Sequence, residues 1–231
     1  MQSIILGIET STEACSVAIT TPKQVHSVFV LEPQAHSKLL LGMVEEMRLQ
    51  AGIELQDINA FAFGRGPGSF TGVRIAASII QGLAFGLDKP VLAISSLQAL
   101  AQQALNKNPI ENILAIFDAR MYEIYCGFYT KNAAGYAQSK VADFKCVPEE
   151  LKIASSTNQI AVGTGAQAYS EILSQHYPNL LFDLSIQYPR AQEVVQLAVE
   201  QLANGNILTA AQAVPTYIRD DVVQTGKKNP D

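Results

Sequence analysis

The sequence predicts an α/β protein built from two related halves. Short apolar runs of strand length alternate with longer segments whose apolar residues recur at helical spacing. A polar stretch with a proline, residues 106–112 (NKNPIEN), interrupts that pattern near the middle of the 231 residues. After it the opening layout returns. Residues 5–8 are an apolar strand ending at Glu9, followed by a tight turn and a second strand at 14–20; residues 113–117 end at Asp118 and are followed by a second strand at 123–130. The expected division is residues 1–107 and 108–231, with the second half abbreviated.

Residues 3–8, 14–20 and 25–31 are three apolar runs with short polar connections, the pattern of an antiparallel meander. Residues 36–51 place Leu40, Met43, Val44, Met47 and Ala51 on one helical stripe, and Gly52 suits the stop. A strand is expected at 59–63, a helix at 71–87, a strand at 91–94 and a helix at 97–105. In the second half a strand at 160–162 and helices near 167–175 and 192–203 follow.

The chain is 48% hydrophobic and 16% charged, which excludes a disordered polymer. Its net charge is −5, and Lys227-Lys228 is the nearest thing to a basic run, so the chain lacks the footprint of a stand-alone nucleic-acid binder. Cys15, Cys126 and Cys146 have no metal-type spacing; they are expected as free thiols of a reducing cytoplasm. The start, MQSIILGIETS, carries no signal-peptide pattern. The most apolar stretch, 70–87, is broken by Arg74, Ser78 and Gln81 and is expected as a buried helix rather than a membrane span.

Residues 64–76 (GRGPGSFTGVRIA) join a strand to that helix. Glycines let backbone N–H groups converge on one point, and a helix start adds its own unpaired N–H groups. Gly66, Gly68 and Ser69 are therefore candidate anion contacts, with Ser69 or Thr71 as the helix cap. The P-loop and dinucleotide fingerprints both fail here, and a tight turn that lets the helix pack closely explains the same residues. His26, His36 and His176 form no metal-type pair, and His36 is expected at the surface or as a cap at a helix start. Glu9 and Asp118 are the candidate acidic pair, and they serve equally well as polar strand ends. Gly163 and Gly165, in AVGTGAQAY, form a second glycine turn.

The helix after the glycine loop is apolar nearly all round, and Leu39, Leu41 and Gly42 lie off the core stripe of the preceding one. Two adjacent helices with an apolar excess suggest a subunit interface. Candidate contacts are Leu39, Gly42, Met43 and Glu46 on the first, and Arg74, Ser78, Gln81, Gly82 and Phe85 on the second. Coverage by later parts of the chain is the alternative.

Two domains with acids at equivalent strand ends resemble the actin-like ATPase (RNase H-like) architecture, in which nucleotide lies between the domains. On that likeness Thr10, Ser11, Gly66, Gly68, Ser69 and Asp118 are the remnant phosphate or nucleotide contacts. More specifically, IETSTEACSVAI, INAFAFGRGPGSFTGVRI, FDARMYEIYCGFY, VGTGA and VPTYIRDDV, in this order, resemble the TsaB (YeaZ) family over essentially the whole chain. The resemblance implies a cytoplasmic, noncatalytic partner of the transferase TsaD, which places threonylcarbamoyl on the adenosine beside the anticodon of tRNAs reading codons that start with A. It implies pairing with TsaD through the two helices, homodimerisation alone, work alongside TsaE and the threonylcarbamoyl-AMP synthase, and only indirect contact with tRNA. No tightly bound cofactor or metal is implied; ATP or ADP would be shared within the complex. TsaD-type sequences carry two metal-binding histidines where Ser96 and Leu100 stand here, and many relatives have Asp where Glu9 stands. A stand-alone actin-fold kinase using Glu9 and Asp118, and a metallopeptidase, are the competing readings.

Overall fold

Strands β1 (Ile5–Glu9), β2 (Ala14–Thr20) and β4 (Ala60–Gly64) are buried along their whole lengths, as strands covered on both faces must be. In the computed structural model, which describes residues 3–153 and 158–218, they are the middle of a five-stranded sheet. Its order is β3-β2-β1-β4-β5, with β3 at Val25–Leu31 and β5 at Val91–Ile94. The first three strands are antiparallel neighbours, whereas β4 and β5 run parallel to β1. Helices α1 (His36–Ala51) and α2 (Phe70–Leu87) supply the crossings that parallel pairing requires. Lys227 and Lys228 lie outside the described residues, as does the part of VPTYIRDDV from Arg219 onward.

The second sheet has the order β11-β10-β6-β7-β8, with β9 also paired to β7. It is built from β6 (Asn112–Arg120), β7 (Glu123–Lys131), β8 (Ala137–Ser139), β9 (Phe144–Cys146), β10 (Ile160–Val162) and β11 (Leu181–Phe182). Again the first two strands pair antiparallel and β10 joins β6 in parallel. This repeated arrangement is the actin-like α/β fold.

The period of two in the strands sorts the layers. Leu6, Ile8, Phe61 and Phe63 face Leu40, Met47 and Ile80 of α1 and α2. Ile5, Ala60 and Ala62 face the opposite way, toward α3 (Ser96–Lys107), α6 (Ala191–Ala203) and the β6 residues Ile113, Ala115 and Phe117. The remaining face of the second sheet, with Leu114, Ile116 and Cys126, carries α4 (Thr164–Ala168) and α5 (Ser170–His176). Thus α3 and α6 lie between the sheets. Helix α6 comes from the end of the chain yet packs on β1, so closely that a Cβ at Gly7 would sit 2.5 Å from Val195 Cγ1.

Some expectations need adjustment. The helix expected at 167–175 is two helices, because Tyr169 leaves helical backbone at φ −119°, ψ 19°. Strands β8, β9 and β11 are too short to show a period. Cys15 and Cys126 are buried thiols, and burial pushes the Cys15 pKa up to about 11. Helix α2 is long and apolar enough to cross a membrane by composition, but Val73, Ala76, Ala77, Ile80 and Ala84 are buried inside the fold.

Candidate functional site

Where β1 and β6 end, the two sheets splay and enclose a cleft of about 1100 Å³. The β1–β2 turn, the glycine loop and the start of α2 form one wall; Phe117, Asp118, Arg120 and Tyr125 form part of the other. Arg120 spans the opening, bonding Glu13 at 3.0 Å and Asp118 at 3.4 Å. It belongs to three consecutive residues, Arg120, Met121 and Tyr122, with φ of 68°, 51° and 63°, which hold the β6–β7 turn in left-handed backbone.

The glycine loop is shaped by how close it lies to the β1–β2 turn. A Cβ at Gly68 would be 2.2 Å from the Ser11 carbonyl oxygen, and one at Gly72 would be 2.0 Å from that of Thr10. Ser69 N donates to the Ser11 carbonyl at 2.7 Å, and the Thr10 hydroxyl donates to that of Gly72 at 2.8 Å. Ser69 Oγ caps α2 by accepting from Gly72 N. Gly66 adopts φ 96°, and its carbonyl accepts from Ser96 N. The loop therefore turns the chain and clamps the β1–β2 turn to the start of α2, which brings Ser11, Gly68 and Ser69 to the cleft wall. Thr10 and Gly66 lie behind that wall.

Glu9 does not reach the cleft. Its side chain folds inward, accepting from Ser11 N at 2.6 Å and from Ser96 Oγ at 2.8 Å. Burial raises its pKa, against the lowering effect of those hydrogen bonds. A Cβ at Gly64 would collide with this carboxyl, so Gly64 makes the space it occupies. Asp118 does line the cleft, but its carboxylate is engaged by Arg120 and by the Tyr169 hydroxyl. The acidic pair is thus not brought together at one point. Ser96 and Leu100 are both fully buried, Leu100 within the apolar core. Among the described residues no group of three His, Cys, Asp or Glu side chains could hold a metal. The donor set at the cleft does not fit a metal-bound triphosphate.

His36 starts α1 as expected, but it is neither at the surface nor the cap, which is Ala35. It is buried, and its Nε2 lies 2.8 Å from the Thr12 carbonyl oxygen. A carbonyl only accepts, so Nε2 carries the proton. The partner lies on another element, and no local spacing in the sequence signals it.

The second candidate is the outer face of α1 and α2. Gly42, Glu46, Arg74, Ser78, Gly82 and Phe85 are exposed there, and Gln81 and Leu39 are half-buried. Met43 is instead buried, facing Cys15 with Sγ 3.6 Å from Sδ, so it supports the helix from below. Phe85 is 83% exposed, and Leu41 and Leu49 extend the apolar surface. A Cβ added at Gly42, Gly82 or Gly86 would meet nothing within 4 Å. Toward the cleft, Arg74 lies over the Phe70 ring at 3.3 Å, and Tyr217 packs beside Phe70.

Comparison with known proteins places these features in a family. A family model described as TsaD, tRNA N6-adenosine threonylcarbamoyltransferase, matches residues 30–227. The chain is 38% identical to the tRNA threonylcarbamoyladenosine biosynthesis protein TsaB of Escherichia coli K12, over 94% of this chain and 95% of that one. It is 37% identical to the TsaB of Haemophilus influenzae, over 100% and 99%. A solved structure of YeaZ from Pseudomonas aeruginosa superposes with a TM-score of 0.87 at 39% identity, covering 93% of this chain and 99% of that one.

Proposed function

The chain belongs to the TsaB family, and from that premise we propose that it is a noncatalytic subunit serving threonylcarbamoyladenosine formation in tRNA. In this reading it activates a TsaD-type transferase in the cytoplasm by pairing with it through the outer face of α1 and α2. The same face makes a homodimer when the transferase is absent. TsaE and the threonylcarbamoyl-AMP synthase join the pair, tRNA is held mainly by other subunits, and any ATP or ADP is shared within the complex. The two acid-ended halves, 1–107 and 108–231, are then a kinase-like frame put to use as a docking body.

The observation that carries this reading is α2 itself. Its inner face is in the core, yet Phe85 stands in solvent beside glycines that leave room for another backbone. An exposed aromatic side chain is of the kind enriched at interface centres, and the open space at the neighbouring glycines lets a partner pack against it. The inward-turned Glu9 and the buried Ser96 and Leu100 support a role without its own metal chemistry.

The test places a charge on that face. Ser78 is exposed, so Ser78→Arg leaves the lone chain folded. Burying the guanidinium without a partner is expected to weaken pairing with the cognate transferase by roughly 2 kcal/mol or more, about thirtyfold. Light scattering of the mixture reads it out. Unchanged complex formation would place the interface elsewhere.

A further inference from the structure

The second half holds a pair of thiols that the pairing role does not use. Cys126 lies inside β7 and Cys146 ends β9. The two strands pair antiparallel, with Cys126 opposite Phe144 and Ile124 opposite Cys146. Residues two apart on a strand point to the same face, so Cys126 and Cys146 are diagonal neighbours on one side of the sheet. That side also carries Ile124, Phe128 and Phe144, the last two with ring centroids 6.0 Å apart. Each thiol is the other's hydrogen-bonding neighbour.

Their surroundings differ as those of an attacking and a resolving thiol must. Cys126 is fully buried, whereas Cys146 is partly exposed. The contact from Cys126 holds the Cys146 pKa below the usual thiol value, against partial burial and the nearby Glu150 carboxylate. Burial pushes that of Cys126 well above it. Cys15, the third thiol, lies in the other half, where its Sγ faces Met43 Sδ. Only three residue pairs hold β9 to β7. A small movement of this short strand therefore brings the two sulfurs to the bonded separation of about 2 Å without disturbing the rest of the sheet.

From this we infer that Cys126 and Cys146 are a dithiol site that hydrogen peroxide oxidises to a disulfide. Cys146 Sγ, as the thiolate, attacks one peroxide oxygen. The S–O bond forms, the O–O bond breaks, and the departing hydroxide takes up a proton to become water, leaving Cys146 as a sulfenic acid. The Cys126 sulfur then attacks Cys146 Sγ. The S–S bond forms, the S–O bond breaks, and the second hydroxide leaves as water with the Cys126 proton. Two thiols and one peroxide thus give one disulfide and two waters, with two electrons passing from sulfur to oxygen. In a reducing compartment such a bond is transient, which is the behaviour of a sensor and not of a structural bridge. Both strands belong to the second sheet, away from α1 and α2, so the fate of this site is independent of the pairing proposal.

The experiment treats the reduced, folded full chain with a small excess of hydrogen peroxide, blocks the remaining thiols with iodoacetamide in denaturant, and weighs the protein and its peptides. The expected product is a single chain with Cys126 linked to Cys146, Cys15 alkylated, and full reversal by dithiothreitol. Two variants assign the roles. Cys146→Ser should slow oxidation of Cys126 at least about tenfold, because the attacking thiolate is gone. Cys126→Ser should leave Cys146 as a sulfenic acid that dimedone traps, with no disulfide. Cys146 is partly exposed, so Cys146→Ser keeps the test valid should Cys126→Ser fail to fold. Failure of the parent to form the Cys126–Cys146 link would overturn the inference, whether the thiols stay reduced or Cys146 runs on to sulfinic acid. So would a link made through Cys15 instead, or oxidation of Cys126 at the parent's rate in folded Cys146→Ser.

Discussion

Glu9 shows how much a single side chain's direction matters. Its place at the end of an apolar strand is legible in the sequence; its inward turn is not, because it depends on Ser96, 87 residues away, and on the space left by Gly64. With both oxygens occupied it is a bracket between the β1–β2 turn and α3. Glu9→Ala leaves Ser11 N and Ser96 Oγ unsatisfied next to a cavity and is expected to cost about 2–4 kcal/mol in thermal denaturation. Glu9→Gln keeps an acceptor for Ser11 N and a group for Ser96, so it should stay within about 1 kcal/mol of the parent and leave complex activity intact. A large activity loss in folded Glu9→Gln would restore a chemical role to this residue. His36 was equally hidden from sequence reading, since its acceptor, the Thr12 carbonyl, belongs to another element.

Among the elements, two glycines of one helix make opposite predictions. Gly72 is pressed against the Thr10 carbonyl, with 2.0 Å left for a Cβ, so Gly72→Ala must push α2 away from β1. The expected cost is about 2 kcal/mol or more, seen as a lower Tm. Gly82 faces open space, and Gly82→Ala should raise the stability of the lone chain by up to about 1 kcal/mol through helix propensity. If the proposed face is correct, the same methyl weakens pairing with the transferase. The long helices and apolar strands were legible because each carries several periods of its pattern. The break at Tyr169 and the two- and three-residue strands β8, β9 and β11 were not, because nothing so short has a period. The loop's glycines suit a turn and an anion nest equally in the sequence, and only the contacts to Thr10 and Ser11 show that they clamp the β1–β2 turn to α2.

For the molecule as a whole, the repeated strand–acid–strand layout made the two sheets readable, while the return of α6 to the first sheet was not. That return buries Glu193, whose Oε2 finds no hydrogen-bond partner. Burial pushes its pKa from 4.5 up to about 7. The fold therefore favours the protonated acid, and native protein binds more protons than unfolded chain between those values. Its contribution is fully present below pH 4.5 and is lost as pH rises to about 7. Glu193→Gln should match the parent at pH 4 and exceed it at pH 8 by an amount on the order of 2–3 kcal/mol. A constant difference across that range would mean that Glu193 is solvated. The central claim, activation of a transferase through the outer face of α1 and α2, is tested most directly by threonylcarbamoyl transfer to tRNA in a reconstituted system. Transfer should require this chain, should fall at least about tenfold with Phe85→Asp, and should return as the variant's concentration is raised. Full transfer without the chain, or with Phe85→Asp at the parent's concentration, would contradict the account.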